Sequence, residues 1–106
     1  MNVYVYYEAN EGDLTTECGA VTDIQVFGSK RTAVSHFLKK IVEGGEDGFV
    51  FDEESDLIVD NRISFGAVLD KLKKNLGYAS ITMFYNEQNN WSSHYDCIIE
   101  RKEIIR

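Results

Sequence analysis

The 106 residues carry a net charge of −7, are 43% hydrophobic, and include six Tyr, six Phe and one Trp. That apolar content suffices for a packed core and excludes a disordered chain, and the length leaves room for one domain over residues 1–106. The negative balance argues against direct nucleic-acid binding, because such a surface repels phosphates.

Residues 3–8 (Val-Tyr-Val-Tyr-Tyr-Glu) are β-branched and aromatic and predict a strand. The polar run from Asn10 to Gly19 predicts a connection, and residues 20–27, with Val21, Ile24, Val26 and Phe27, a second strand. Ser29 then stands where a helix cap is needed. Beyond it Ala33, Val34, Phe37, Leu38, Ile41 and Val42 recur at three- and four-residue spacing, one apolar stripe of a helix. Gly44-Gly45 is expected to stop that helix. Residues 49–52 and 57–60 predict a hairpin closed by Glu53-Glu54-Ser55-Asp56. A second helix is predicted from about Ile63 to Leu76, on the spacing of Phe65, Val68, Leu69, Leu72 and Leu76. Lys71, Lys73 and Lys74 fall in its last half, where cations suit the dipole, and Gly77 is expected to cap it. Residues 79–86 and 93–104 predict two long strands joined by Glu87-Gln88-Asn89-Asn90-Trp91-Ser92. The order β-β-α-β-β-α-β-β predicts an α+β fold, a mainly antiparallel sheet with two helices on one face. It also permits a ferredoxin-like centre.

No apolar run approaches the roughly 20 residues of a membrane helix, so no membrane span is expected. The opening residues lack a basic segment followed by a long apolar one, and Cys18 and Cys97 show no CxxC spacing. Both features predict a cytoplasmic protein with reduced thiols.

Chemistry is sparse. Asp52, Glu54 and Asp56 match positions 1, 3 and 5 of a calcium loop, but Leu57 and Ile63 occupy the positions that need glycine and a bidentate carboxylate. His94 and Asp96 lie two apart on a predicted strand, so Cys97 projects from the opposite face, out of reach as a nucleophile for a histidine base. His36 falls off the apolar stripe and is expected at the surface. No phosphate loop, zinc-peptidase helix or nucleophile elbow is present. The expectation is no enzyme, no catalytic residues, no metal and no cofactor.

The charge layout is more informative. Residues 1–60 hold thirteen acidic and four basic side chains, whereas residues 61–106 hold five acidic and seven basic. From Glu43 to Asp60 there are eight carboxylates and no Lys or Arg. Gly48-Phe49-Val50-Phe51 resembles the end of the RNP1 signature of the RNA-recognition motif, and Ile24 to Gly28 loosely its RNP2. Here Glu46-Asp47 stand where that signature begins with a basic residue, so a nucleic-acid platform is not expected. The acidic stretch predicts instead a surface for a basic protein. Alternate residues on a strand repeat at about 6.5–7 Å, close to the phosphate spacing of a nucleic-acid strand. Glu46, Asp47, Asp52, Glu53, Glu54 and Asp56 are therefore the expected partner-binding residues, with Trp91 as a second candidate anchor. A regulatory module, dimeric through the Tyr-rich first strand, is the alternative.

In size, acidity and lack of catalytic motifs the chain resembles the small inhibitors encoded by phages and mobile elements, including acidic anti-CRISPR proteins. That resemblance implies a non-enzymatic inhibitor whose target is a nucleic-acid-handling protein such as a guide-RNA nuclease.

Overall fold

The computed structural model describes residues 1–10, 20–74, 77–85 and 94–104. In chain order its elements are β1 (Asn2–Asn10), β2 (Ala20–Phe27), α1 (Lys30–Glu46), β3 (Phe49–Phe51), β4 (Ile58–Val59), β5 (Arg62–Ile63), α2 (Phe65–Lys73), β6 (Tyr78–Tyr85) and β7 (His94–Glu103). Five strands form one antiparallel sheet in the order β2-β1-β7-β6-β3, and β4-β5 form a separate two-stranded ribbon. The fold is α+β, as the element pattern predicts.

Alternation along the strands separates two faces. The register sets Tyr6 opposite Ile99, and Ile99 opposite Ala79. These residues share one face with Cys97, Ile81 and Met83. Onto that face pack Ala33, Val34, Phe37 and Ile41 of α1 and Val68, Leu69 and Leu72 of α2, with Leu57 closing one end of the core. Both helices therefore cover the same side. The other side carries no helix among the described residues, and Tyr7, Ile98 and Ser80 form one row across it. Ile98 is only 6% exposed, yet it lies outside the helix-side core.

Ser29 caps α1 by accepting from the Thr32 amide at 3.4 Å. Gly44-Gly45 does not stop this helix. It runs on to Glu46, and the left-handed residue that ends it is Gly48, at φ 97°. Gly44 has a different role: it is buried where α1 meets the sheet, and a Cβ there would lie 2.5 Å from Tyr95 Oη and 2.9 Å from Met83 Cε. Helix α2 starts at Phe65 behind the cap Ser64, whose Oγ accepts from the Ala67 amide at 3.2 Å. Ile63 is excluded because it pairs with Ile58. The far end of α2 is held across the fold by β7: the Arg101 guanidinium donates to Leu72 O at 2.9 Å and Lys74 O at 3.1 Å. A cation there meets carbonyls that the helix itself cannot satisfy.

The hairpin expected over residues 49–60 is replaced by two pairings. β3 pairs with β6, Val50 facing Phe84. β4 and β5 are joined by Asp60 and Asn61, both at positive φ (53° and 64°), the two-residue connection whose twist suits a hairpin. The ferredoxin-like centre is also corrected. That arrangement needs the strand before each helix in the middle of the sheet, whereas β2, which precedes α1, is an edge, and β5, which precedes α2, is outside the sheet. Strand β1 is paired on both sides, by β2 and β7, so its backbone edge is not available for dimerisation.

Candidate partner-binding surface

The acidic stretch begins on the last turn of α1. Glu43 is tied to Lys39 (3.9 Å) and Lys40 (3.6 Å) on its own helix. Glu46 and the C-cap Asp47 are exposed. Helix α1 has no acidic residue in its first turn and no basic residue in its last. Lys30 and Arg31 stand at its positive end, and Glu43, Glu46 and Asp47 at its negative end. Each such placement costs about 0.3–1 kcal/mol when no counter-charge is present.

Beside this helix end lies an apolar groove of ≈ 300 Å³, lined by Ile41, Val42, Gly45, Phe49, Val50, Phe51, Met83 and Glu53. Among these, Gly45 is followed in the chain by Glu46 and Asp47, and Glu53 by Glu54. An adjoining depression of ≈ 370 Å³ is lined by Asp52, Glu54, Ser55, Asp56, Ser80, Ile81 and Thr82. Four of the six predicted carboxylates, Asp52, Glu53, Glu54 and Asp56, thus line one or other of two hollows, whereas Glu46 and Asp47 line neither and only follow Gly45 in the chain.

They do not form the strand-spaced row that the sequence suggests. Beyond Phe51 the chain turns: Asp52 Oδ1 accepts from the Glu54 amide at 3.0 Å, and Ser55 Oγ from the Leu57 amide at 3.2 Å. These short polar side chains bond their own backbone two residues on and fold the segment into turns. Asp56 is paired with Lys71 of α2, whose hydrogen bond holds the Asp56 carboxyl below the usual carboxylate range. Among the described residues Glu46, Asp47, Glu53 and Glu54 have no basic partner within ion-pair distance. Trp91 lies outside the described residues, as does Cys18.

Other candidate groups sit apart. His94 and Asp96 are on the uncovered face, where the His94 ring lies 6.3 Å from Phe84 and Asp96 accepts from Thr82 Oγ1 at 2.6 Å. Cys97 is fully buried on the opposite, helix-covered face, and burial pushes its thiol up to about 12. Among the described residues no His, Cys, Asp or Glu converge in threes to hold a metal ion. No described helix is long and apolar enough to cross a membrane.

Sequence reasoning misses a polar cluster beneath α1. The Tyr6 hydroxyl donates to Glu8 Oε2 at 2.6 Å, and Lys40 Nζ reaches Glu8, Asp23 and Glu43, each at 3.6 Å. Its one signal is alternation, which puts Glu8 on the inward side with Tyr4 and Tyr6. His36 belongs here too, not at the open surface. Its ring is 4.8 Å from Tyr6 and 5.1 Å from Phe27, and its buried Nε2 has no hydrogen-bond partner among the described residues.

Burial, then Lys40 and Lys39, lower the His36 pKa below its ordinary value. The unfolded chain therefore binds the proton more readily than the folded one. Stability is untouched above about pH 6.5 and falls as pH drops below it, until His36 also charges in the folded state. Replacing His36 with Phe should shrink the loss in urea midpoint between about pH 7.5 and about pH 5. An unchanged loss would mean that this ring stays solvated.

No family model matches the chain, and no curated protein or solved structure is significantly similar to it.

Proposed function

We propose that this chain is a non-enzymatic protein-binding domain that grips a basic, partly apolar surface with the groove beside β3. The observation that carries this reading is the set Glu46, Asp47, Glu53 and Glu54, exposed and without ion-pair partners among the described residues, with Glu53 lining the apolar groove, Glu54 the adjoining depression, and Glu46 and Asp47 following the groove residue Gly45 in the chain. Two of them stand where the dipole of α1 opposes them, and Lys or Arg from a partner relieves that conflict. Apolar contact in the groove supplies affinity, and the carboxylates supply orientation and rate of encounter.

Proteins that handle nucleic acid carry such basic surfaces, and Arg accepts a carboxylate in the fork geometry it uses for phosphate. The specific form of the proposal is an inhibitor that occupies a phosphate-binding surface, as in the acidic anti-CRISPR proteins. Asp56 contributes least, because Lys71 already holds it. The burial of Cys97 away from His94 supports a binding role over nucleophilic catalysis. A cytoplasmic setting, where thiols stay reduced, belongs to the same reading.

The test is capture of nucleic-acid-binding proteins from host lysate by immobilised protein, at low and high salt, with DNA or RNA as competitor. The Glu53→Lys/Glu54→Lys variant should bind at least about tenfold more weakly, and both salt and competitor should release the partner. Capture indifferent to charge reversal and to salt would refute the proposal.

A further inference from the structure

Strand β2 is a sheet edge of eight residues, and every residue from Val21 to Val26 is exposed. Val21, Ile24 and Val26 are 53%, 60% and 63% exposed. Natural edge strands are usually protected by lysines, prolines or brevity. None of these protects β2, whose one charge, Asp23, is drawn to Lys40 of α1. Among the described residues its one blunting device is a bulge, where Asp23 (φ 54°) and Ile24 together oppose the single residue Tyr7. A strand so exposed buries little of its own apolar surface, and a partner at its edge would bury more.

Charge decides which partner. At −7, two copies repel wherever their acidic surfaces meet. The acidic groove borders β3, the opposite edge of the sheet, four strand spacings or roughly 19 Å from β2. Among the described residues β2 carries a single carboxylate, Asp23, already ion-paired with Lys40, so of the two sheet edges it is the less acidic.

The bulge also makes the strand self-complementary. The extra residue reverses the alternation, so Val21 and Val26, five residues apart, face the same side: the register sets Val21 opposite Ala9 and Val26 opposite Val5 on β1. An antiparallel two-fold axis between Asp23 and Ile24 brings Val21 beside Val26 of the second copy. It also brings Thr22 beside Gln25 of that copy. We propose that β2 joins two copies of this chain edge to edge, in one continuous ten-stranded antiparallel sheet. This self-contact is isologous, and it leaves the two acidic grooves at the far ends of the dimer.

Sedimentation and light scattering over a concentration series test this. The wild-type chain should pass from 12.1 kDa to twice that mass. Val26→Lys should weaken the dimer at least about tenfold, because it replaces the apolar contact with Val21 of the second copy by a lysine whose charge the pairing would strip of water. Thr22→Lys on the other face of β2 should do the same. Both side chains are exposed, so far-UV circular dichroism should be unchanged. Glu53→Lys/Glu54→Lys should leave the dimer intact, which keeps this result separate from the groove's binding role. A chain monomeric at every concentration would overturn the proposal, as would a dimer that both β2 variants tolerate.

Discussion

Replacing Tyr6 with alanine is expected to remove about 3–5 kcal/mol of stability, the usual effect of deleting a large buried aromatic ring. Folded domains of this kind are held by about 5–15 kcal/mol in all, so this substitution should leave a marginal fold. Tyr6 is among the largest fully buried side chains, and its ring packs edge-on against His36 at 4.8 Å and Phe37 at 6.2 Å. Its hydroxyl serves Glu8, so Tyr6→Phe separates the two contributions. Phenylalanine keeps the ring and loses one hydrogen bond to a carboxylate, worth about 1.5–3 kcal/mol. Urea denaturation reads both values. Alkylation of Cys97 reads the same event chemically: its thiol is buried and held protonated in the wild type, and it should react far faster in Tyr6→Ala. If Tyr6→Ala were as stable as Tyr6→Phe, the ring would not be part of the core.

The second large effect is expected at Gly44. Alanine there gains helix propensity, up to about 1 kcal/mol, and presses only on the tips of Tyr95 and Met83. Those tips can shift, so Gly44→Ala should lie within about 1 kcal/mol of the wild type. Leucine adds three further carbons to a filled space, and Gly44→Leu should cost about 2–3 kcal/mol by overpacking. The Tyr95 ring also packs edge-on against Phe49 at 5.0 Å, so its displacement should loosen the first residue of β3. Urea midpoints of the two variants settle the matter. Equal stability of Gly44→Leu and the wild type would mean that α1 does not touch the sheet at this point.

Local signals in the sequence survive into the structure where one element suffices to explain them. The Ser29 cap and the stripe Ala33, Val34, Phe37 and Ile41 are visible from spacing alone, and so are Val68, Leu69 and Leu72. Readings fail where a distant element decides. Gly44-Gly45 resembles a helix stop, but packing on Tyr95 and Met83 carries the helix through it. The end of α2 is held by Arg101 of β7, twenty-nine residues from Leu72, and no local pattern around the helix announces that contact. Asp60-Asn61 hides a tight hairpin because neither residue is the glycine that usually marks one.

The acidic site follows the same division. Its carboxylates are evident from composition, and the apolar groove that Glu53 lines rests on the close approach of the α1 end to β3. Their spacing is set by Asx and serine turns instead of by a strand, and the neutralisation of Asp56 depends on Lys71 from another helix. Helical periodicity alone puts His36 outside, because it ignores the Tyr6 and Phe27 rings that β1 and β2 supply opposite it.

The sheet order has a consequence for how the chain is made. β7, synthesised after every other strand of the sheet, lies between β1 and β6. Until residues 94–103 have emerged from the ribosome, no described strand can join β1 to β6, and the five-stranded sheet cannot close. Closure is thus a late, long-range step, for which local pairing cannot substitute.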